Sequence, residues 1–259
     1  MGLFGKLFEK KECAICGGEI GRVFGNRKLE DGNMCKNCAA KLSPWFSERR
    51  HSTVAQIKEQ LAYREANKEQ VAAFHTTRTL GRTTKVLLDE DNQKFMVTKA
   101  KKLAEENPDV LDFADVTGCV IDVKDSRDEI KRQDKDGNEV SYNPPRYRYE
   151  YDLYLTIYVN NPYFDEMRFK LNDNTIRMES VSGLMGTSAP DPKNDAGYRE
   201  ALQLGEDSKN ALSKVHKQVR EEIAAANAPK QAVTCPYCGV TTVPDASGCC
   251  EYCGGSVNA

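Results

Sequence analysis

The sequence predicts an α+β fold: a curved antiparallel sheet or small barrel with a C-terminal helix, flanked by two small four-cysteine modules. Three observations carry this. Cysteines pair as CxxC at 13/16, 35/38, 235/238 and 250/253. Residues 147–159 alternate with the period of a strand, and two stretches, 54–74 and 198–223, repeat apolar residues at helical spacing. The 259 residues, 39% hydrophobic and 29% charged, suffice for one good core plus small satellites. A net charge of −2 argues against a basic protein that coats polyanions, and no apolar run approaches the ~20 residues of a membrane helix.

The elements follow in chain order. Leu3, Phe4, Leu7 and Phe8 share one helical face with Lys6, Lys10 and Lys11 nearby, a short amphipathic segment that is either an interfacial anchor or a clip on the next module. Cys13-Ala-Ile-Cys16-Gly opens that module, turn formers at Gly25-Asn26 and Asp31-Gly32-Asn33 follow, and Cys35-Lys-Asn-Cys38 runs into a helical turn. A knuckle, a hairpin and a ligand pair at a helix start is the layout of a treble-clef-like finger, with a zinc ribbon as the close alternative. Thr53 and Gln56 can form a capping box, after which Val54, Ile57, Leu61, Val71 and Phe74 make an apolar stripe interrupted by Arg64 and Lys68. That is the pattern of a connecting helix with one face on a neighbouring domain.

The centre reads as antiparallel sheet. Lys85–Leu88 and Phe95–Val97 flank a turn at Asp89–Gln93, and Cys119, Ile121 and Val123 form a strand. Lys135-Asp-Gly-Asn138 is a hairpin signal between that strand and the long one. There Tyr147, Tyr149, Tyr151, Leu153, Leu155, Ile157 and Val159 alternate with Arg148, Glu150, Asp152, Tyr154, Thr156 and Tyr158. Asn160-Asn-Pro-Tyr163 turns the chain into Met167, Phe169 and Leu171. After a loop at 186–195, Tyr198, Leu202, Leu212, Val215, Val219 and Ile223 predict a helix with a break near Gly205.

Two CxxC knuckles, each followed by Gly, place four soft thiolates tetrahedrally, so Cys235, Cys238, Cys250 and Cys253 are predicted to hold a structural Zn2+. Cys249 is an alternative to Cys250, and otherwise a free thiol. Cys13, Cys16, Cys35 and Cys38 are predicted to hold a second structural zinc. A closed four-thiolate shell lacks the open position that a catalytic zinc needs. His51, His75 and His216 match no metal or triad spacing, no phosphate loop follows a strand, and Cys119 reads as a core residue. No enzymatic constellation emerges.

The stretch from Cys13 to Phe74, with Lys-Leu-Glu-Asp-Gly-Asn-Met-Cys-Lys-Asn-Cys-Ala at 28–39 and Thr-Val-Ala-Gln-Ile-Lys-Glu-Gln-Leu at 53–61, resembles a bacterial family catalogued as domain of unknown function 4428. The middle, including Asp112–Asp122, is similar to PH-like or GRAM-like domains, which implies a bent sheet closed by a helix. These resemblances imply an architecture and no activity. The expected partition is an amphipathic segment (1–11), a zinc finger (12–45), a connecting helix (46–76), a PH-like β domain (77–185), a helix (196–227) and a C-terminal zinc ribbon (232–259).

The expected function is non-enzymatic, with these modules as docking surfaces for a protein partner. Nucleic-acid binding is the second reading, through Arg22, Arg27, Lys28, Lys36 and Lys41 of the first finger, since residues 232–259 contain no Lys or Arg to neutralise phosphate. Peripheral membrane contact through residues 1–11 is the third. The start Met1–Lys6 lacks an apolar signal region and a cleavage site, so a reducing cytoplasmic location is expected, with membrane association as a possible addition.

Overall fold

The computed structural model describes residues 11–21, 25–183, 186–226, 232–245 and 248–257, with no side-chain detail for 182 and 214–226. The amphipathic segment at Leu3–Phe8, Arg22 of the first finger and the linker at 227–231 lie outside the described residues. The chain divides into two compact units, Met1–His216 and Lys217–Ala259. No described helix is long and apolar enough to cross a membrane.

The first unit opens with two short hairpins. Strand β1 (Lys11–Glu12) pairs with β2 (Glu19–Ile20), and β3 (Asn26–Lys28) pairs with β4 (Asn33–Cys35), which leads into α1 (Lys36–Ala39). Helix α2 (Val54–Ala73) starts on the capping box that the sequence predicts. Thr53 N donates to Gln56 Oε1 at 2.8 Å, and Gln56 N donates to Thr53 Oγ1 at 3.3 Å. The finger's own turn adds a third cap, because Val54 N donates to Asp31 Oδ1 at 2.7 Å. Ile57, fully buried, packs with Ile20, Leu29, Met34 and Leu42 of the finger, so the first half of α2 completes the finger's core.

The second half of α2 covers an antiparallel sheet of order β5-β6-β7-β8: β5 (Arg78–Leu80), β6 (Lys85–Asp89), β7 (Lys94–Thr98) and, after α3 (Leu103–Glu106), β8 (Val110–Asp112). Val71 packs on Leu87, Met96 and Val110. Both faces of β6 and β7 are buried, which is why their apolar residues run continuously instead of alternating. The Asp89–Gln93 turn forms where expected.

A second sheet has order β11-β10-β12 with β9 also on β10. Its strands are β9 (Val116–Gln133), β10 (Glu139–Asn161), β11 (Phe164–Lys170) and β12 (Ile176–Glu179). The predicted alternation holds on β10 from Tyr151 to Val159 with one exception: Tyr151, Leu153, Leu155, Ile157 and Val159 are buried, but so is Thr156 on the opposite face, while Tyr147 and Tyr149 are half-buried. Opposite them stand Val123, Ile121 and Cys119 of β9 and Phe169 and Met167 of β11. A small hairpin follows, β13 (Val181–Gly183) with β14 (Gly186–Ser188). The sheets are open and curved. They do not join into one closed barrel.

Helix α4 (Ala196–Ala226) is continuous through Gly205, where a break was expected. A Cβ there would lie 2.9 Å from Ile121 Cδ1 and 3.0 Å from Leu171 Cδ1. The glycine therefore serves close helix–sheet approach. It does not end the helix. Tyr198 meets Tyr151 edge-on at 5.8 Å, and Ala201, Ser208 and Leu212 continue the buried stripe.

Candidate metal centres

Cys13, Cys16, Cys35 and Cys38 converge on one point, as do Cys235, Cys238, Cys250 and Cys253; within each set the sulfurs lie within 4.8 Å of one another. Cys16 Sγ and Cys35 Sγ are 3.9 Å apart, Cys235 and Cys253 3.5 Å, and Cys238 and Cys250 3.8 Å. Four sulfurs at ~2.3 Å from a central ion span edges of about 3.8 Å, so each set fits a tetrahedral metal. All these cysteines are free thiols.

Three of the four CxxC pairs make the same turn. Gly17 N donates to Cys13 O at 2.8 Å, Gly239 N to Cys235 O at 2.9 Å, and Gly254 N to Cys250 O at 2.8 Å. The three glycines have φ of +72°, +71° and +70°, a conformation that side chains resist. The fourth pair differs. Cys35 is the N-cap of α1 and accepts from Cys38 N at 3.3 Å, while its own N–H donates to Cys13 Sγ at 3.3 Å. A knuckle, a hairpin and a helix start thus make up the first centre, whereas two facing knuckles make up the second.

Residues 11–60 match the family model described as Domain of unknown function (DUF4428). No curated protein and no solved structure matches the chain. The DUF4428 match ends inside α2, after the finger's core residue Ile57 and before Arg64.

The electrostatics of the metal-free sets point the same way. Burial pushes the Cys13 thiol up, but the amides of Cys35, Cys16 and Ile15 outweigh it and bring it down to about 6. Burial and the neighbouring sulfurs of Cys35, Cys16 and Cys13 hold Cys38 far above the usual thiol range. In the second set burial of Cys235 is outweighed by the amides of Cys238 and Tyr237, which bring it to about 7. The Gly255 amide pulls Cys253 down, yet Cys235 and Cys238 push it up to about 12. One thiolate forms in each set and opposes the next; a cation at the centre removes that conflict.

Cys249 lies outside the second set. It bridges to Ser256 in an isolated antiparallel pair, while the adjacent Cys250 turns inward and is buried. Cys119 sits half-buried on the core-facing side of β9, where burial raises its thiol to about 11. His75, Asp89 and Asp91 form a third group of metal-ligand residue types. Asp89 is already saturated there by N–H donors from His75 at 2.8 Å and from Asn92 at 3.0, 3.1 and 2.9 Å, so it is a turn anchor.

Arg64, which reads as a gap in the α2 stripe, is the residue that sequence reasoning missed. It is buried and donates to Asp109 Oδ1 at 2.7 Å, to Lys41 O at 3.3 Å and to Asn107 O. Ser43 Oγ donates to the other Asp109 oxygen at 2.8 Å. Asn67, one turn on, donates to Pro108 O and accepts from Val110 N. This network ties the finger's exit, α2 and the entry to β8 together, and its only sequence signal is polar residues at core-facing helix positions: Gln60, Arg64 and Asn67.

Proposed function

We propose that both cysteine sets bind zinc as structural ions and that the chain is a non-enzymatic modular adaptor that docks a protein partner in a reducing compartment. The observation that carries this reading is closure: four thiolates complete each coordination shell, which leaves no position for water or substrate. The PH-like reading of the middle, a bent sheet followed by a helix, agrees with a docking role and supplies no reactive group.

The second module supports the choice of a protein partner. Tyr237 and Tyr252, each at the third position of its CxxC knuckle, are 73% and 72% exposed, with Val240 and Val243 exposed beside them in sequence. Residues 232–259 carry Asp245 and Glu251 and no cation, a composition that repels phosphate and suits apolar contact.

The test has two parts. Metal analysis of the purified chain is expected to return two zinc ions, and one for Cys235→Ser with Cys238→Ser. Affinity purification from the native cells, with nuclease and detergent, is expected to retain a stoichiometric protein that Tyr237→Ser with Tyr252→Ser releases. Recovery of nuclease-sensitive RNA or DNA alone would overturn the adaptor reading.

A further inference from the structure

Between the two sheets and the Pro44–Trp45 turn lies a cavity of 610 Å3, lined by none of the eight clustered cysteines. Small-molecule sites occupy about 300–1,000 Å3, whereas packed cores tolerate few voids larger than a water. Trp45, the chain's single tryptophan, and Tyr154 contribute aromatic rings to its wall, and Val97 and Phe169 add apolar contact.

Its polar groups are mainly donors. Arg168 stacks over Tyr154 at 4.5 Å and is fixed by Asp122 at 2.7 Å and Thr156 Oγ1 at 3.1 Å. Lys170 is fixed by Asp152 at 2.7 Å. Thr98 Oγ1 accepts the Ala100 amide at 2.9 Å, which leaves its own hydroxyl proton to donate. Lys99 has no ion-pair partner among the described residues, and Glu106 is the one carboxylate on the wall.

We propose that this cavity binds a small planar aromatic molecule bearing one carboxylate, the ring against Trp45 and Tyr154 and the carboxylate at Lys99 and Thr98. A neutral aromatic makes no use of Lys99, and an aliphatic acid leaves the aromatic rings unused. With Arg168 and Lys170 already paired to Asp122 and Asp152, the cation left over is Lys99, which favours an anion. The site is independent of what the cysteine sets bind.

The probe is 2-naphthoate, titrated into the full chain while the indole N–H resonance of Trp45, the only one of its kind, is followed by NMR. A saturable shift with Kd at or below about 1 mM is expected, with 2-naphthamide and cyclohexanecarboxylate each about tenfold weaker. The surface variant Lys99→Gln, its fold checked by thermal melting, is expected to weaken naphthoate about tenfold and leave naphthamide unchanged. Three results would each overturn the proposal: no saturable shift with naphthoate, equal affinity for acid and amide in the wild type, or an unaltered naphthoate affinity in Lys99→Gln.

Discussion

Around Cys13 and Cys38 the chain buries Ile20, Leu29, Met34, Leu42 and Ile57. In residues 232–257, Cys235, Thr242, Gly248 and Cys250 are the buried ones among the described residues. The first centre therefore sits on a hydrophobic core that borrows a helix, while the second has little to hold it except its sulfurs. Below about 40 residues a chain cannot build an adequate core, and metal ligation substitutes for one. The same four-thiolate shell thus supports a fold in one place and constitutes it in the other.

Metal removal is the strongest way to break that comparison. Structural zinc in small fingers is worth about 10–16 kcal/mol of folding free energy at neutral pH. Cys235→Ser with Cys238→Ser is expected to abolish amide protection across 232–257 and to leave the first unit intact. Cys13→Ser with Cys16→Ser is expected to lose its metal but keep protection in the second half of α2, which Val71 anchors on the first sheet. Hydrogen exchange read by mass spectrometry distinguishes the two; equal collapse of both modules and their surroundings would refute the contrast.

Next in size is the buried ion pair that backs the first module where its exit meets α2 and the entry to β8; residues 232–259 contain no cation to form one. Burial pushes the Asp109 carboxyl up against the pull of the Arg64 guanidinium, so removing Arg64 strands a carboxylate away from water. Arg64→Ala is expected to cost about 3–5 kcal/mol, whereas Arg64→Met with Asp109→Leu recovers most of it, because an apolar pair needs no solvation. Urea unfolding followed by far-UV circular dichroism measures both, and neither substitution is expected to alter metal binding at Cys235, Cys238, Cys250 and Cys253.

What the sequence made legible and what it concealed divide along the same line. CxxC spacing, the Thr53–Gln56 cap, the Asp89–Gln93 turn and the β10 alternation are local codes, readable because each operates over a few residues. Arg64 was concealed because its partners, Lys41, Ser43 and Asp109, are distant in the chain, and from α2 alone it looks like a solvated break in the stripe. Gly205 misled for the same reason. Helix propensity is a local property, and the side chains it accommodates, Ile121 and Leu171, come from the sheet. The second module concealed little beyond the choice of Cys250 over Cys249, since its described residues bury no apolar side chain other than cysteines and so leave few distant partners to hide.

Acid sharpens the contrast by probing stability that no metal supplies. Asp89 is buried, which raises its pKa, but the hydrogen bonds from Asn92 and His75 outweigh burial and hold it below its ordinary 3.8. A carboxyl depressed on folding contributes stability that is complete above pH 3.8 and is lost as pH falls through the folded value. Asp89→Asn is expected to cost about 1–3 kcal/mol at pH 7 and to flatten the loss of stability below pH ~4. Thermal melts of the two proteins between pH 2 and 7 check the slope.

The smallest effects come from a pair of glycines that look equally indispensable. A Cβ on Gly205 would meet Ile121 Cδ1 and Cγ1 at 2.9 and 3.1 Å, and one on Gly255 would meet Tyr237 Cδ2 at 2.6 Å. On distance alone Gly255→Ala is the worse clash. The neighbours decide otherwise. Ile121 of β9 is half-buried and stiff at its branched Cβ, and the buried Leu171 crowds the added Cβ at 3.0 Å, so the site yields only with strain, at about 1–3 kcal/mol. Helix propensity returns about 1 kcal/mol of that, leaving Gly205→Ala destabilised by about 1 kcal/mol. Tyr237 is 73% exposed, and its ring can swing into water without disturbing a packed neighbour. Gly255→Ala is therefore expected to change zinc affinity by less than about twofold, measured by competition with a chromogenic chelator. A larger loss there than at Gly205 would mean that the Tyr237–Gly255 contact acts as a core for the second module, and that its sulfurs do not hold it alone.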